Sequence, residues 1–134
     1  MKRFFSGLFA LILVVAIGLT GCSGGESVTG LTGNYSQDTL TLIESLRTAV
    51  SLPDDDPAKR PAQATAKEQI NAFASRYRRD AKVSGLASFT TMRTALNSLA
   101  AHYSAYPNRP VPEKLKKRLE QEFRQVEVAL KRGA

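Results

Sequence analysis

Phe89, Met92, Leu96, Leu99, Tyr103 and Tyr106 follow one another at steps of three and four. That spacing places all six on one side of an α-helix and gives the helix a seam it must bury. A single amphipathic helix of this length is marginal in water, so partners are required. Three more stretches carry the same pattern: Leu40, Ile43, Leu46 and Val50 with Leu42 and Ala49 alongside; Ala62, Ala66, Ile70, Phe73 and Tyr77; and Leu115, Leu119, Phe123, Val126 and Leu130. Four seams joined by short connections can bury themselves only against one another. The expected fold is all-α, an antiparallel up-down-up-down four-helix bundle over residues 35–134.

Local signals set the expected boundaries. Ser36 is placed to cap the first helix, Asp38 suits the positive end of its dipole, and Pro53 stops it. Asp56-Pro57 forms a cap and first-position pair, so the second helix is expected from near Pro57 or Pro61 to about Ala81. Lys82–Ala87, with Gly85, makes the next connection, and Ser88 is placed to cap the third helix. Pro107-Asn108-Arg109-Pro110-Val111-Pro112 is a stiff turn leading into a fourth helix with Glu113 in its first turn. The other face of that helix pairs opposite charges four residues apart, as in Arg118/Glu122 and Glu120/Arg124, and reads as a solvated face. Asp54-Asp55-Asp56 invites a cation-site reading. Calcium loops space their oxygens alternately around a glycine, and neither feature is present, so a solvated turn is the better reading.

The inward positions argue against catalysis. No acidic residue is expected on any of the four stripes, which excludes a carboxylate-bridged metal pair. The one histidine, His102, lies beside the third stripe as a boundary residue and has no partners for a triad or a zinc site. Met92 stands ten residues from His102 along the same helix, about 15 Å away, and no haem-attachment motif exists. Glycine-rich phosphate loops and nucleophile elbows are absent from the sequence. A binding protein without cofactor or metal is the expectation.

The chain begins differently. Lys2 and Arg3 precede a nearly all-apolar run, Phe4–Leu19, which closes on Leu19-Thr20-Gly21-Cys22. A positive head, an apolar middle and small residues before the cut describe a secretory signal peptide. The cysteine at its end resembles the lipobox of bacterial lipoproteins, which implies lipidation of Cys22 and cleavage before it. The run is shorter than the ~20 residues that cross a bilayer comfortably, so the chain is read as membrane-anchored, not spanning. Residues 1–21 are then leader, and 22–34, rich in Gly, Ser and Thr, a flexible tether. Cys22 is the only cysteine, so no disulfide is expected. Removing the first 21 of 134 residues leaves one modest domain, and the formal charge of +7 falls to about +5 without Lys2 and Arg3. An exported basic domain suits an acidic partner or anionic surface, and nucleic acid is not expected. Arg76, Arg78 and Arg79 exceed what a helix end needs and suggest a docking surface for carboxylates.

Several stretches carry a closer likeness: Gly30-Leu31-Thr32-Gly33-Asn34-Tyr35 with Asp38-Thr39-Leu40, then Arg76-Tyr77-Arg78-Arg79-Asp80. Thr94 through Leu99, His102-Tyr103, Tyr106 through Pro110, Pro112 through Leu115 and Arg118 through Phe123 extend it. Together they resemble the photosystem II assembly lipoproteins, small lumenal factors of cyanobacteria, over nearly the whole mature chain. The resemblance implies a monomeric four-helix bundle, lipid-anchored on the lumenal side of the thylakoid membrane. It implies binding to incompletely assembled photosystem II at the inner chlorophyll antenna subunit, in assembly and in repair after photodamage. Extrinsic subunits would be kept off while the manganese–calcium cluster is built. Two clusters are the expected docking residues: Arg78, Arg79 and Asp80 at the second-helix end, and Tyr106, Asn108 and Arg109 in the proline-rich turn. An antiparallel bundle puts these at opposite poles, so one of them alone would meet a given partner. The alternatives are a generic basic lipid-anchored bundle that binds an anionic surface or an unrelated acidic protein, and a metal carrier using Asp54–Asp56.

Overall fold

The computed structural model describes residues 31–134. The leader, Cys22 and the tether as far as Gly30 lie outside them. Four helices account for most of the described chain: α1 (Tyr35–Ser51), α2 (Lys59–Tyr77), α3 (Ala87–Ala105) and α4 (Glu113–Lys131). No strand occurs among the described residues. Each helix packs on the next, and α4 closes the ring against α1, as an up-down-up-down bundle requires.

The core is the four stripes brought together. Leu42, Ile43 and Leu46 of α1, Ile70 and Phe73 of α2, Met92, Leu96 and Leu99 of α3, and Leu119, Phe123 and Val126 of α4 are all buried. At one pole the aromatic rings gather: Phe73 lies 5.0 Å from Tyr77, 6.2 Å from Tyr35 and 6.4 Å from Phe89, centroid to centroid. All of these contacts close within residues 31–134, which form a compact unit with a core of their own and are competent to fold alone.

Several local expectations are corrected. Asn34, not Ser36, caps α1, its side-chain oxygen accepting the Gln37 N–H at 3.0 Å. Ser88 does not cap α3; it is buried one residue inside the helix, and its hydroxyl meets that of Tyr35 at 2.8 Å. The helix therefore starts at the extended Leu86 without a side-chain cap. Helix α2 stops at Tyr77 instead of Ala81, because the Asp80 carboxylate accepts the Lys82 N–H at 2.9 Å and folds the chain into a turn. Leu40 and Tyr106 leave their stripes and are 42% and 48% exposed.

The charged face of α4 is more than a solvated surface. Arg47 of α1 reaches across to Glu120 at 3.0 Å and Glu127 at 2.6 Å, and its guanidinium stands 5.9 Å from the Phe123 ring. The Arg47 hydrogen bond holds the Glu120 carboxyl below its ordinary pKa, and this network ties α1 to α4.

Tyr103 is an exception to good core chemistry. Its ring is buried but its hydroxyl has no hydrogen-bond partner among the described residues. Burial pushes its pKa up to about 12. A buried hydroxyl without a partner costs about 1–3 kcal/mol. Tyr103→Phe is accordingly expected to stabilise the bundle by about 1 kcal/mol, read as a higher urea midpoint at unchanged slope.

Candidate docking surfaces at the two poles

The up-down-up-down order sorts the connections. The α1–α2 and α3–α4 turns meet at one pole and line a shared groove of about 280 Å³. The entering segment, the α2–α3 turn and the end of α4 share the other pole, where Ala134 C=O accepts the Ser88 N–H at 3.1 Å. The two expected docking clusters are thus not brought together. A helix of 19 residues, the length of α2, separates them by about 28 Å.

At the groove pole, Tyr106, Asn108 and Arg109 are all exposed. The Arg109 guanidinium lies 5.3 Å from the Tyr106 ring, a cation–π arrangement. Three prolines stiffen the turn, and buried Val111 pins it to the core. His102 supports it from beneath. The imidazole is buried, not at the boundary, with Nε2 3.4 Å from the Arg109 carbonyl and its ring 5.5 Å from Tyr106. The neighbouring Asp54–Asp56 turn is held by its own chemistry: Asp54 pairs with Lys59, and Asp56 accepts the Ala58 N–H at 2.8 Å. Among the described residues no group of three acidic, histidine or cysteine side chains is arranged to hold a metal.

At the other pole, Arg78 and Arg79 are exposed and follow Tyr77 directly. Asp80, the third member of that cluster, is half-buried and occupied by the Lys82 N–H. Its role is to shape the turn that displays the arginines.

The same pole contains a network that sequence reasoning missed. Asp38, placed by its sequence position at the positive end of the α1 dipole, is only 1% exposed. Its Oδ1 accepts the Thr32 N–H at 2.7 Å and the Thr32 hydroxyl at 2.8 Å, while Oδ2 accepts the Gly33 N–H at 3.1 Å and the Tyr77 hydroxyl. Burial pushes this carboxyl upward, but the hydrogen bonds from Tyr77, Thr32 and Gly33 outweigh it and leave the pKa below its ordinary value. Burial and the facing carboxylate push Tyr77 up to about 12. Thr32 and Gly33, assigned to the tether, are therefore fastened to the bundle. Gly33 adopts φ +92°, a conformation that favours glycine, while the Arg76 guanidinium, 2.7 Å from where a Cβ would stand, could swing aside.

This bundle matches known proteins along its length. The family model described as photosystem II Pbs27 matches residues 8–130. The photosystem II assembly factor lipoprotein Psb27 of Thermosynechococcus vestitus is 59% identical over 134 residues, covering 100% of this chain and 98% of the relative. The photosystem II lipoprotein Psb27 of Synechocystis is 60% identical, covering 99% of this chain and 97% of that one. A solution structure of Psb27 from cyanobacterial photosystem II superposes with a TM-score of 0.75 at 60% identity, covering 79% of this chain and 92% of that one. The chain belongs to the photosystem II Pbs27 family.

Proposed function

We propose that this protein is a non-catalytic assembly and repair factor that binds immature photosystem II from the lumenal side of the thylakoid membrane. A lipid on Cys22 holds it there, and the inner chlorophyll antenna subunit is its docking partner. While bound, it keeps extrinsic subunits off the site where the manganese cluster is assembled. Full-length likeness to relatives described as photosystem II lipoproteins and assembly factors supports this reading.

Docking is assigned to the groove pole, through Tyr106, Asn108 and Arg109. The supporting observation is the exposed Tyr106–Arg109 pair on a turn fixed by Val111 and His102. Tyrosine and arginine are the residue types that most often dominate binding energy, and a pre-formed turn loses little entropy on docking. The tether confines the domain near its target and raises its effective concentration there.

The test uses labelled Leu31–Ala134, since Thr32 and Gly33 belong to the fold. It should bind photosystem II lacking its manganese cluster and extrinsic subunits at least tenfold more tightly than the mature complex. Arg109→Glu should weaken that binding about tenfold, equivalent to about 1.4 kcal/mol. Equal affinity for both forms of the complex would overturn the assembly-factor reading.

A further inference from the structure

The charge on the bundle is unevenly distributed between its poles. Arg76, Arg78, Arg79 and Lys82 surround the α2–α3 turn, and Lys131 and Arg132 end α4 beside them; all six are exposed. None of the six forms an ion pair among the described residues, whereas Arg47, Lys59, Lys116, Arg118 and Arg124 all do. Two carboxylates of this pole accept hydrogen bonds from other groups: Asp80 from the Lys82 N–H, and Asp38 within its buried network. At the groove pole the signs are mixed, with Asp54, Asp55, Asp56 and Glu113 set among Lys59, Arg60, Arg109 and Lys114.

The unpaired cations sit where the chain enters the bundle. Thr32 and Gly33 are fastened to Asp38 at this pole, so residues 22–30 must leave from it. Nine residues reach at most about 30 Å when fully extended. A bilayer holding the start of the chain is therefore close to these six cations. The groove pole, at the far end of helices about 28 Å long, can stand farther from it by up to that length. Screening at physiological salt acts over about 8 Å, so a charged surface can favour one pole over the other.

We propose that this basic pole is a docking surface for the anionic headgroups of membrane lipids. It stands the bundle on the bilayer with the groove pole turned away, toward a membrane-embedded partner's lumenal domain. Guanidinium groups suit the task, because their fork of donors matches phosphate and sulfate oxygens. The inference rests on the membrane attachment given under Proposed function and adds an orientation to it. Arg78 and Arg79 thereby become membrane contacts instead of partner contacts.

Co-sedimentation of Leu31–Ala134 with vesicles tests this, and the vesicles contain no photosystem, so the outcome is independent of partner binding. Vesicles of phosphatidylcholine with phosphatidylglycerol should bind at least tenfold more protein than phosphatidylcholine alone, with the difference shrinking as salt rises. The variant Arg78→Glu, Arg79→Glu, Lys82→Glu should lose at least tenfold in binding, and Lys131→Glu with Arg132→Glu, on a different element, should lose several-fold. The variant Arg60→Glu, Lys114→Glu, Lys117→Glu makes the same charge change at the groove pole and should lose less than twofold. Far-UV circular dichroism confirms that each variant is folded. Equal losses from the two triple variants would reduce the effect to net charge and overturn the proposal. So would indifference to phosphatidylglycerol, or displacement by millimolar inorganic phosphate, which would mark a free-anion site.

Discussion

Asp38→Ala should destabilise the bundle by about 3 kcal/mol and lower its melting temperature by about 12 °C. The carboxylate accepts four hydrogen bonds, two from Thr32 and one each from Gly33 and Tyr77. After the substitution Thr32 and Gly33 can turn to water, but the Tyr77 hydroxyl remains in the core without an acceptor. That asymmetry makes the loss larger than the net value of one ordinary hydrogen bond. Thermal unfolding followed by circular dichroism measures it, and Tyr77→Phe in a double-mutant cycle should show coupling of about 1–2 kcal/mol with Asp38. The pH profile carries an independent sign. Asp38 has a lowered pKa when folded, so its contribution is present above about pH 4 and is lost as pH falls through the folded value. Tyr77 is raised to about 12, so its contribution is present below about pH 10 and is lost as pH climbs toward 12. The alanine variant should therefore lose part of the acid limb of the stability curve. An unchanged acid limb would show that Asp38 titrates alike in the folded and unfolded protein, contrary to the lowered value.

The second large effect is expected from Phe73→Ala, about 4 kcal/mol. Phe73 has no exposed surface and touches rings contributed by three helices: Tyr35 of α1, Tyr77 of its own helix and Phe89 of α3. Removing it forfeits the transfer energy of the ring and leaves a cavity that aromatic neighbours, fixed by their own bonds, cannot fill. Tyr35 is held by Ser88 and Tyr77 by Asp38. Urea unfolding should show a lower midpoint with an unchanged slope, since the surface exposed on unfolding is nearly the same. A cost below about 2 kcal/mol would mean that the cluster collapses into the space, contrary to the tight packing described.

The bundle was legible because its signal is periodic. Ile70, Phe73 and Tyr77, or Leu119, Phe123 and Val126, declare an inner face by spacing alone, and the prolines declare the turns. What was not legible depends on partners distant in the chain. Asp38 looks like any first-turn acid until Tyr77, 39 residues away, delivers a hydroxyl to it. Ser88 has the composition of a cap, yet Tyr35 claims its oxygen. Arg47 resembles a surface charge, and its glutamates lie 73 and 80 positions later. The candidate docking residues were readable as a surface class, and the antiparallel order already put Arg78 and Arg109 at opposite ends. Only the closed bundle shows that Asp80 serves the backbone.

The order of helix packing also has a kinetic meaning. Every helix finds its main partner next to it in sequence, and the α1–α4 closure is the one packing of helices far apart in the chain, with Tyr35–Ser88 as a further link. Such a topology has low contact order and forms in microseconds to milliseconds. Two helical hairpins, α1–α2 and α3–α4, can assemble locally and then zip together, with the Arg47 bridge as a late clasp. A polypeptide that emerges from its N-terminus onward can thus complete each hairpin as soon as its second helix appears. It needs no distant strand to appear before its apolar seams are covered.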